Sequence, residues 1–531
     1  MRRRLNFSLL LTDLLNRHVC CPLFCPMNQL PSSVITAVGT PAAALPERVL
    51  QFGTGVLLRG LVDFLIDKAN KQNVFNGSVV VVKSTGNDVS EFAQQDNRYS
   101  VWVRGVQNGQ TVEEQTVVTA ISRVLAAQTQ WEDVLALARK PSLQVVVSNT
   151  TEVGLQYVEE SIFQTPPKSF PAKLTAFLYE RFKGAGGSRK MGLVVVPTEL
   201  LPDNGLRLRD AVERTAQHNE LGKLFMKWLK FHVRFCNSLV DRIVTGKPDE
   251  EATALFEQKA GYTDTLLTAT EPYYFWAIEG DDRVRKVLSF AEVSPTHLVI
   301  DEDISFYRER KLRLLNGAHT FMTPLSYLLG NVTVEDSMNH PLMGPLVTDL
   351  MLKDIAPSVP TDLAGDDGAA AVMQFGQEVL DRFRNPFNEH FLLNITLQQS
   401  AKMQVRNVPT LQRLAEAGAI PDRMALCFAA FLLFMRANRQ TEDGEYIGEI
   451  LVPGGELVYP IRDAQAAYFY EEWQAVKSGD SQSVADFVQT ILADKNVWQA
   501  DLTTLPSFAD KVTTYLTTML TKGVEAAVKL V

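Results

Sequence analysis

The chain has 531 residues, 46% hydrophobic and 21% charged, with a formal net charge of −9. Such a length predicts two or three domains with sizeable cores, and the acidic balance argues against a general nucleic-acid binder. No apolar run reaches the roughly 18 residues a membrane span needs, so no transmembrane helix and no membrane partner are expected.

The first 46 residues read as an extension. Met1-Arg2-Arg3-Arg4 precedes an apolar stretch broken by Thr12-Asp13, without a clear cleavage site, and residues 31–46 are a Pro-, Ala-, Ser- and Thr-rich lead-in. Met27 is a candidate start. Of the five cysteines, Cys20, Cys21 and Cys25 cluster here, while Cys236 and Cys427 stand alone. That is neither a disulfide framework nor a zinc-ligand spacing, so no metal is expected and a reducing cytoplasm is the default compartment.

From residue 47 the texture is α/β. Val49 to Phe52 reads as a strand, Gly53-Thr54-Gly55 as a turn, and Val56 onward as a helix. Strand, G-x-G turn, helix is the context of a dinucleotide fold, where glycines let the backbone approach a pyrophosphate. The third glycine of that fingerprint falls on Leu58, so the pattern is imperfect. Apolar runs at 79–82, 117–121, 143–147 and 193–196 suit strands buried on both faces, with a helix over 131–138 between two of them. This alternation predicts a Rossmann-like doubly wound sheet over 47–300. Phe52, Gly53, Thr54, Gly55, Arg59, Ser148 and Asn149 are the expected cofactor contacts, since ligands bind beyond strand carboxyl ends. After the second strand stands Lys83-Ser84-Thr85-Gly86-Asn87-Asp88. Asp88 suits a ribose and Lys83 a 2′-phosphate, so NAD versus NADP stays open on this ground.

A long helical stretch is expected from Leu206 to Phe235. Beyond about residue 300 apolar residues recur at helical spacing, predicting a mainly α-helical substrate domain over 301–531. Near its start lies Lys311-x4-Asn316-x2-His319. On an α-helix these three fall within roughly 140° of arc. An amine, an amide and an imidazole facing one cleft suit oxidation of a secondary alcohol: a lysine, of free pKa roughly 10.4, as proton carrier, and an asparagine as donor to the developing oxyanion. A snorkelling lysine, a capping asparagine and a core histidine would give the same pattern.

Arg48 to Gly60, Asn237 to Ile243, the Lys311/Asn316/His319 spacing and Arg382-Phe383-x-Asn385-Pro386 together resemble the polyol-specific long-chain mannitol dehydrogenase family. The resemblance runs over nearly the whole chain from about residue 47. Lys83-Ser84-Thr85, Pro197 to Gly205 and Arg308 to Thr320 look most like members acting on a sugar acid. The resemblance implies a zinc-independent, NAD-dependent enzyme of hexuronate breakdown whose partner is a small-molecule sugar acid. It implies Lys311 as general acid and base, Asn316 in the oxyanion site, His319 supporting Lys311, and Asp241 and Lys402 beside the substrate. A neutral polyol, or a sugar acid of other stereochemistry, is the rival within the family. A non-catalytic nucleotide-binding regulator is disfavoured by the intact trio. Two departures stand out: Leu200 follows Glu199 where many relatives carry Asn, and Asn394 replaces an arginine. A substrate carboxylate needs a cation; Arg310, Arg313, Lys402 and Arg406 are the candidates. Oligomeric state is left open.

Overall fold

The computed structural model describes residues 45–362, 367–418, 420–452, 455–477 and 479–531. The amino-terminal cysteine cluster, nearly all of the lead-in, and residues 363–366 and 453–454 lie outside these residues.

The amino-terminal domain is built on six parallel strands in the order β5-β2-β1-β6-β7-β8. They are β1 Glu47–Phe52, β2 Ser78–Lys83, β5 Ile121–Ala126, β6 Val145–Ser148, β7 Leu193–Pro197 and β8 Val233–Phe235. Alternate residues supply two separate cores. Val49, Val79, Val81, Val145 and Val147 face one side; Leu50, Phe52, Val80, Val82 and Val146 face the other. Helices cover both faces, which is why these strands are apolar throughout. The chain reverses direction across the sheet at β1, flanked by β2 on one side and β6 on the other. A ligand crevice forms at such a switch point.

Between β2 and β5 a long hairpin is inserted: β3 Tyr99–Gln107 and β4 Gln110–Val118, fully paired end to end. The apolar run at 117–121 is therefore not one strand. It ends β4, turns through Thr119-Ala120 and starts β5. The expected 206–235 helix is two helices, Asn204–His218 and Lys223–His232, interrupted at Gly222, followed by β8. A second, three-stranded sheet joins β9 Ser238–Asp241, β12 Phe275–Glu279 and β13 Leu298–Asp301. Between β9 and β12 come β10 Val244–Gly246 and β11 Thr268–Thr270, the latter parallel to β3.

The carboxy-terminal domain is helical around one core that includes Phe321, Met322, Leu325, Met403 and the Met424–Met435 helix region. Its first long helix changes pitch twice: α over Ser305–Arg310, π over Lys311–Gly317, α again over Ala318–Leu328. Pro324 sits inside that last segment. A proline has no N–H for the carbonyl four residues back. That carbonyl, Thr320 O, instead accepts from Gln399 Nε2 at 2.7 Å. Among the described residues no helix is long and apolar enough to cross a membrane.

Candidate active site

At the glycine turn, Gly53 adopts φ +125°, a conformation side chains rarely take. A Cβ there would meet Leu58 Cδ1 at 3.0 Å and Asn149 O at 3.2 Å. Gly55 is exposed, with open space where a Cβ would stand. The helix beginning at residue 56 thus presents its free N–H groups through an unobstructed backbone. Gly60, not Leu58, provides the close packing expected of a third glycine. A Cβ at Gly60 would lie 2.8 Å from Val244 and 3.0 Å from Thr270. The turn and switch point fit a dinucleotide pyrophosphate.

Other expected cofactor contacts are placed differently. The Phe52 side chain is a correction: it is fully buried against Phe170, with ring centroids 5.1 Å apart, because strand alternation turns it into the core. Only its carbonyl faces the site, accepting from Asn149 N at 3.3 Å. Arg59 is nearly buried, its guanidinium over the rings of Tyr99 and Phe92 at 5.7 and 6.0 Å. Asn149 Nδ2 donates to the backbone and hydroxyl of Thr198 at 3.1 and 3.0 Å. Ser148 Oγ donates to Glu199 at 3.3 Å.

Glu199, just beyond the end of β7, is buried. Its carboxylate accepts from Thr150 N at 2.8 Å and Thr150 Oγ1 at 3.1 Å, tying the loops after β6 and β7 together. Burial pushes it above the usual carboxylate range despite those donors. Asn204 is fully spent. It donates to Pro197, Glu199 and Ser238 carbonyls and accepts from Gly205 and Ser238 N–H groups, so it locks the loop.

Beside these loops lies a cleft of about 390 Å³ between the two domains. Glu199 to Pro202 and Ser238 to Val240 form one wall; Arg308, Lys311, Asn316 and Arg406 form the other. The π turn explains why two of the three catalytic candidates are there, while His319 is not on the cleft wall. In π geometry hydrogen bonds run i to i+5, so residues five apart stack one turn above another on a common face. Lys311 and Asn316 are five apart. Lys311 is 17% exposed; its Nζ donates to Val240 O at 2.9 Å and lies 3.5 Å from Asp241 Oδ1. Leu200, 67% exposed, also lines the cleft, where its side chain offers no hydrogen-bond donor.

Asp241 lies behind Lys311, buried and not on the cleft wall. Arg382 grips it with two parallel bonds, Nη2 to Oδ1 at 2.9 Å and Nη1 to Oδ2 at 3.0 Å, and reaches Glu271 through Nε at 2.9 Å. Burial alone would raise the Asp241 carboxyl, but Arg382 and then Lys311 outweigh it and hold it below its ordinary value. Burial works against the Arg382 charge too, yet its two carboxylates hold it above the usual arginine value.

His319 stacks on Phe383, centroids 4.1 Å apart and planes within 11°. His390 meets it edge-on at 5.1 Å. Burial first, then the neighbouring His390, Arg382, Arg406 and Lys402, pushes the His319 imidazole well below its ordinary value. It is neutral at physiological pH, and its Nε2 is buried without a hydrogen-bond partner among the described residues. Arg382 and Phe383, adjacent in sequence, thus support two members of the trio at once.

The remaining expected substrate contacts separate. Arg313 is a correction: it does not line the cleft. Buried, it bonds both Glu309 oxygens at 3.2 Å and the Val405 and Arg406 carbonyls at 3.0 and 2.6 Å. Lys402 is off the cleft wall, its Nζ donating to Ile395 O at 2.8 Å. Arg310 is buried among the Phe375 and Phe275 rings.

Residues 47–291 match the mannitol dehydrogenase Rossmann domain, and residues 303–520 the mannitol dehydrogenase C-terminal domain. An altronate oxidoreductase of Halalkalibacterium halodurans is 38% identical over 94% of this chain and 97% of its own. One of Bacillus subtilis is 35% identical over 91% and 95%. The chain belongs to the mannitol dehydrogenase family. Like that family it is an oxidoreductase acting on a CH–OH group. The same fold occurs in Pseudomonas fluorescens mannitol 2-dehydrogenase, solved as a ternary complex with NAD and D-mannitol. The two share 23% identity and a TM-score of 0.61 over 95% of this chain and 96% of that one. A D-sorbitol dehydrogenase gives a TM-score of 0.72 at 20% identity, over 92% of this chain and 96% of that one. The family's two domains thus account for the parallel sheet with its glycine turn and for the helical domain that follows.

Proposed function

We propose that this protein interconverts D-altronate and D-tagaturonate with NAD, as a step of hexuronate catabolism, using Lys311 as the proton carrier. The observation that carries this reading is the shared cleft. Lys311 and Asn316 project from the helical domain toward Glu199 to Pro202, the loop at the carboxyl end of β7, on the side of the sheet where the glycine turn suits a dinucleotide. The name shared by the relatives at 38% and 35% identity supports the choice of sugar acid.

A bound nicotinamide supplies the hydride donor or acceptor. In the reductive direction the Lys311 ammonium gives a proton to the ketone oxygen and becomes the amine; in the oxidative direction the amine takes one from the hydroxyl. Asp241, itself clamped by Arg382, and the Val240 carbonyl aim the amine. The Asn316 amide makes no hydrogen bond to another described side chain and donates to the same substrate oxygen, stabilising the charge that develops there. Neutral His319, held flat by Phe383, orients a neighbouring substrate hydroxyl.

Reduction of tagaturonate, fructuronate and fructose by the purified protein, each with NADH and with NADPH, tests the reading. Tagaturonate with NADH should give the highest kcat/KM. A clear preference for fructuronate moves the assignment to the epimeric acid, and a preference for fructose returns it to a polyol enzyme.

A further inference from the structure

Four cations near Lys311 stand as possible partners for a substrate carboxylate, and their surroundings separate them. Arg310 is sunk among aromatic rings. Arg313 is consumed by Glu309 and two carbonyls. Lys402 is turned to the Ile395 carbonyl, away from the cleft wall. Arg406 alone of the four lines the cleft with Lys311 and Asn316. Arg308, the other cation on that wall, already faces Asp203 at 3.4 Å.

Arg406 has an unusual balance of contacts. Its Nη1 donates to Thr320 Oγ1 at 3.2 Å, and no carboxylate comes within ion-pair distance among the described residues. It is half-buried, and desolvation lowers its affinity for a proton with no acid offsetting the loss. A partly desolvated guanidinium without an anion is costly unless a ligand completes it. The backbone that carries it is fixed: Arg313 holds the Arg406 carbonyl at 2.6 Å, and Glu309, which grips Arg313, is also bound by Arg413 at 2.9 Å. The side chain therefore starts from an immobile root, with its remaining edge open to the cleft. The surrounding field is positive, from Lys402 on one side, while His319 stays neutral.

We propose that Arg406 is the specificity-determining residue for the acid substrate, binding its carboxylate while Lys311 and Asn316 hold the oxygen of the reacting carbon. This rests on the sugar-acid reading above. In a tagaturonate-type acid the ketone lies beside the hydroxymethyl end of the chain, and the carboxylate closes the opposite end. One cleft must therefore recognise two separated groups, and a guanidinium can take a carboxylate with two parallel bonds. Arg313 acts through Arg406 as a positioning residue.

The test is the ratio of kcat/KM for tagaturonate to that for tagatose, its neutral counterpart, with NADH, in wild type and in Arg406→Gln. Retained NADH binding shows that the variant is folded. The ratio should fall about a hundredfold, chiefly through KM for the acid, and Arg406→Lys should recover part of it, because the charge returns without the fork. An unchanged ratio in Arg406→Gln overturns the proposal while leaving the altronate reading standing. If the glutamine variant does not fold, Arg406→Lys decides: a ratio equal to wild type's overturns a bidentate role. A wild-type protein that reduces tagatose and ignores every sugar acid overturns both readings, and it does so without any variant.

Discussion

Arg382 reaches from the helical domain to both oxygens of Asp241, the carboxylate that faces Lys311 from behind. Removing it takes away the ion-pair partner of Glu271 and leaves Asp241 only the Lys311 amine, 3.5 Å away. Breaking a buried pair from one side costs about 3–5 kcal/mol. Arg382→Met should be destabilised by that order in urea unfolding. An Asp241→Asn/Arg382→Met double variant should recover part of the loss. A melting midpoint equal to wild type's for the single variant would show that the pair is solvated in solution.

Lys311→Ala should lose turnover by about 10²–10⁴-fold, the usual worth of a positioned acid or base. Cofactor affinity should hold, because the lysine belongs to the helical domain and no residue of the glycine turn lines the cleft with it. Single-turnover measurements at saturating NADH separate the two effects. A near-normal rate would remove Lys311 as proton carrier.

His319→Gln should reduce kcat up to about a hundredfold through misplacement of substrate, and Phe383→Leu should reproduce part of that loss. Since burial holds the imidazole neutral, the wild-type pH–rate profile should carry no inflection that disappears in His319→Gln. Finding such an inflection would mean that the ring is open to water in the working enzyme.

Asp63 lies on the buried face of the helix that follows the glycine turn, its carboxyl pushed up to about 7 by burial, from 3.8 when free. Gln51 donates to it at 3.2 Å and the Tyr99 hydroxyl approaches at 3.4 Å. Between those two pKa values the folded chain keeps a proton that the unfolded chain has released. Stability from this group is thus full below the lower value and lost as pH rises through the upper one, at up to about 1.4 kcal/mol per pH unit. The stability of Asp63→Asn relative to wild type should grow with pH across that window and then level off. A constant difference in denaturant midpoint across the window would contradict a buried protonated acid.

Gly53→Ala forces a side chain into a left-handed conformation against Leu58 and the Asn149 carbonyl. Strain of this kind costs about 1–3 kcal/mol, which would be relieved by moving the turn that faces the pyrophosphate. Isothermal titration should show NADH binding at least about tenfold weaker. Binding at wild-type strength would place the dinucleotide elsewhere.

The parallel sheet was legible because its strands announce themselves: Ser78–Lys83 is apolar on both faces, and both faces are covered. The hairpin was not. Its outer strand reads Gln110 to Gln115 with exposed polar residues on both sides, so it carries no apolar alternation. Lys311, Asn316 and His319 could be picked by chemistry. Their shared face depends on a π turn, a hydrogen-bond register that residue types do not encode. Arg313 and Arg406 look alike in sequence, and only their surroundings separate them: one is buried beside Glu309, the other has no acid within ion-pair distance among the described residues. Phe383 was visible only as part of a motif, since its partner His319 lies far from it in the chain.

The hairpin inserted after β2 reaches the very helix that ends in Arg382 and Phe383. Gly109 N donates to Asp381 at 3.3 Å, Asn385 donates to the Arg104 carbonyl at 3.5 Å, and the Arg104 guanidinium lies 4.9 Å over the Phe387 ring. A loop with no chemistry of its own is therefore a second handle on both catalytic supports. Drift in its surface sequence would tune the rate from a distance, through leverage on one helix, while every reacting group stayed the same.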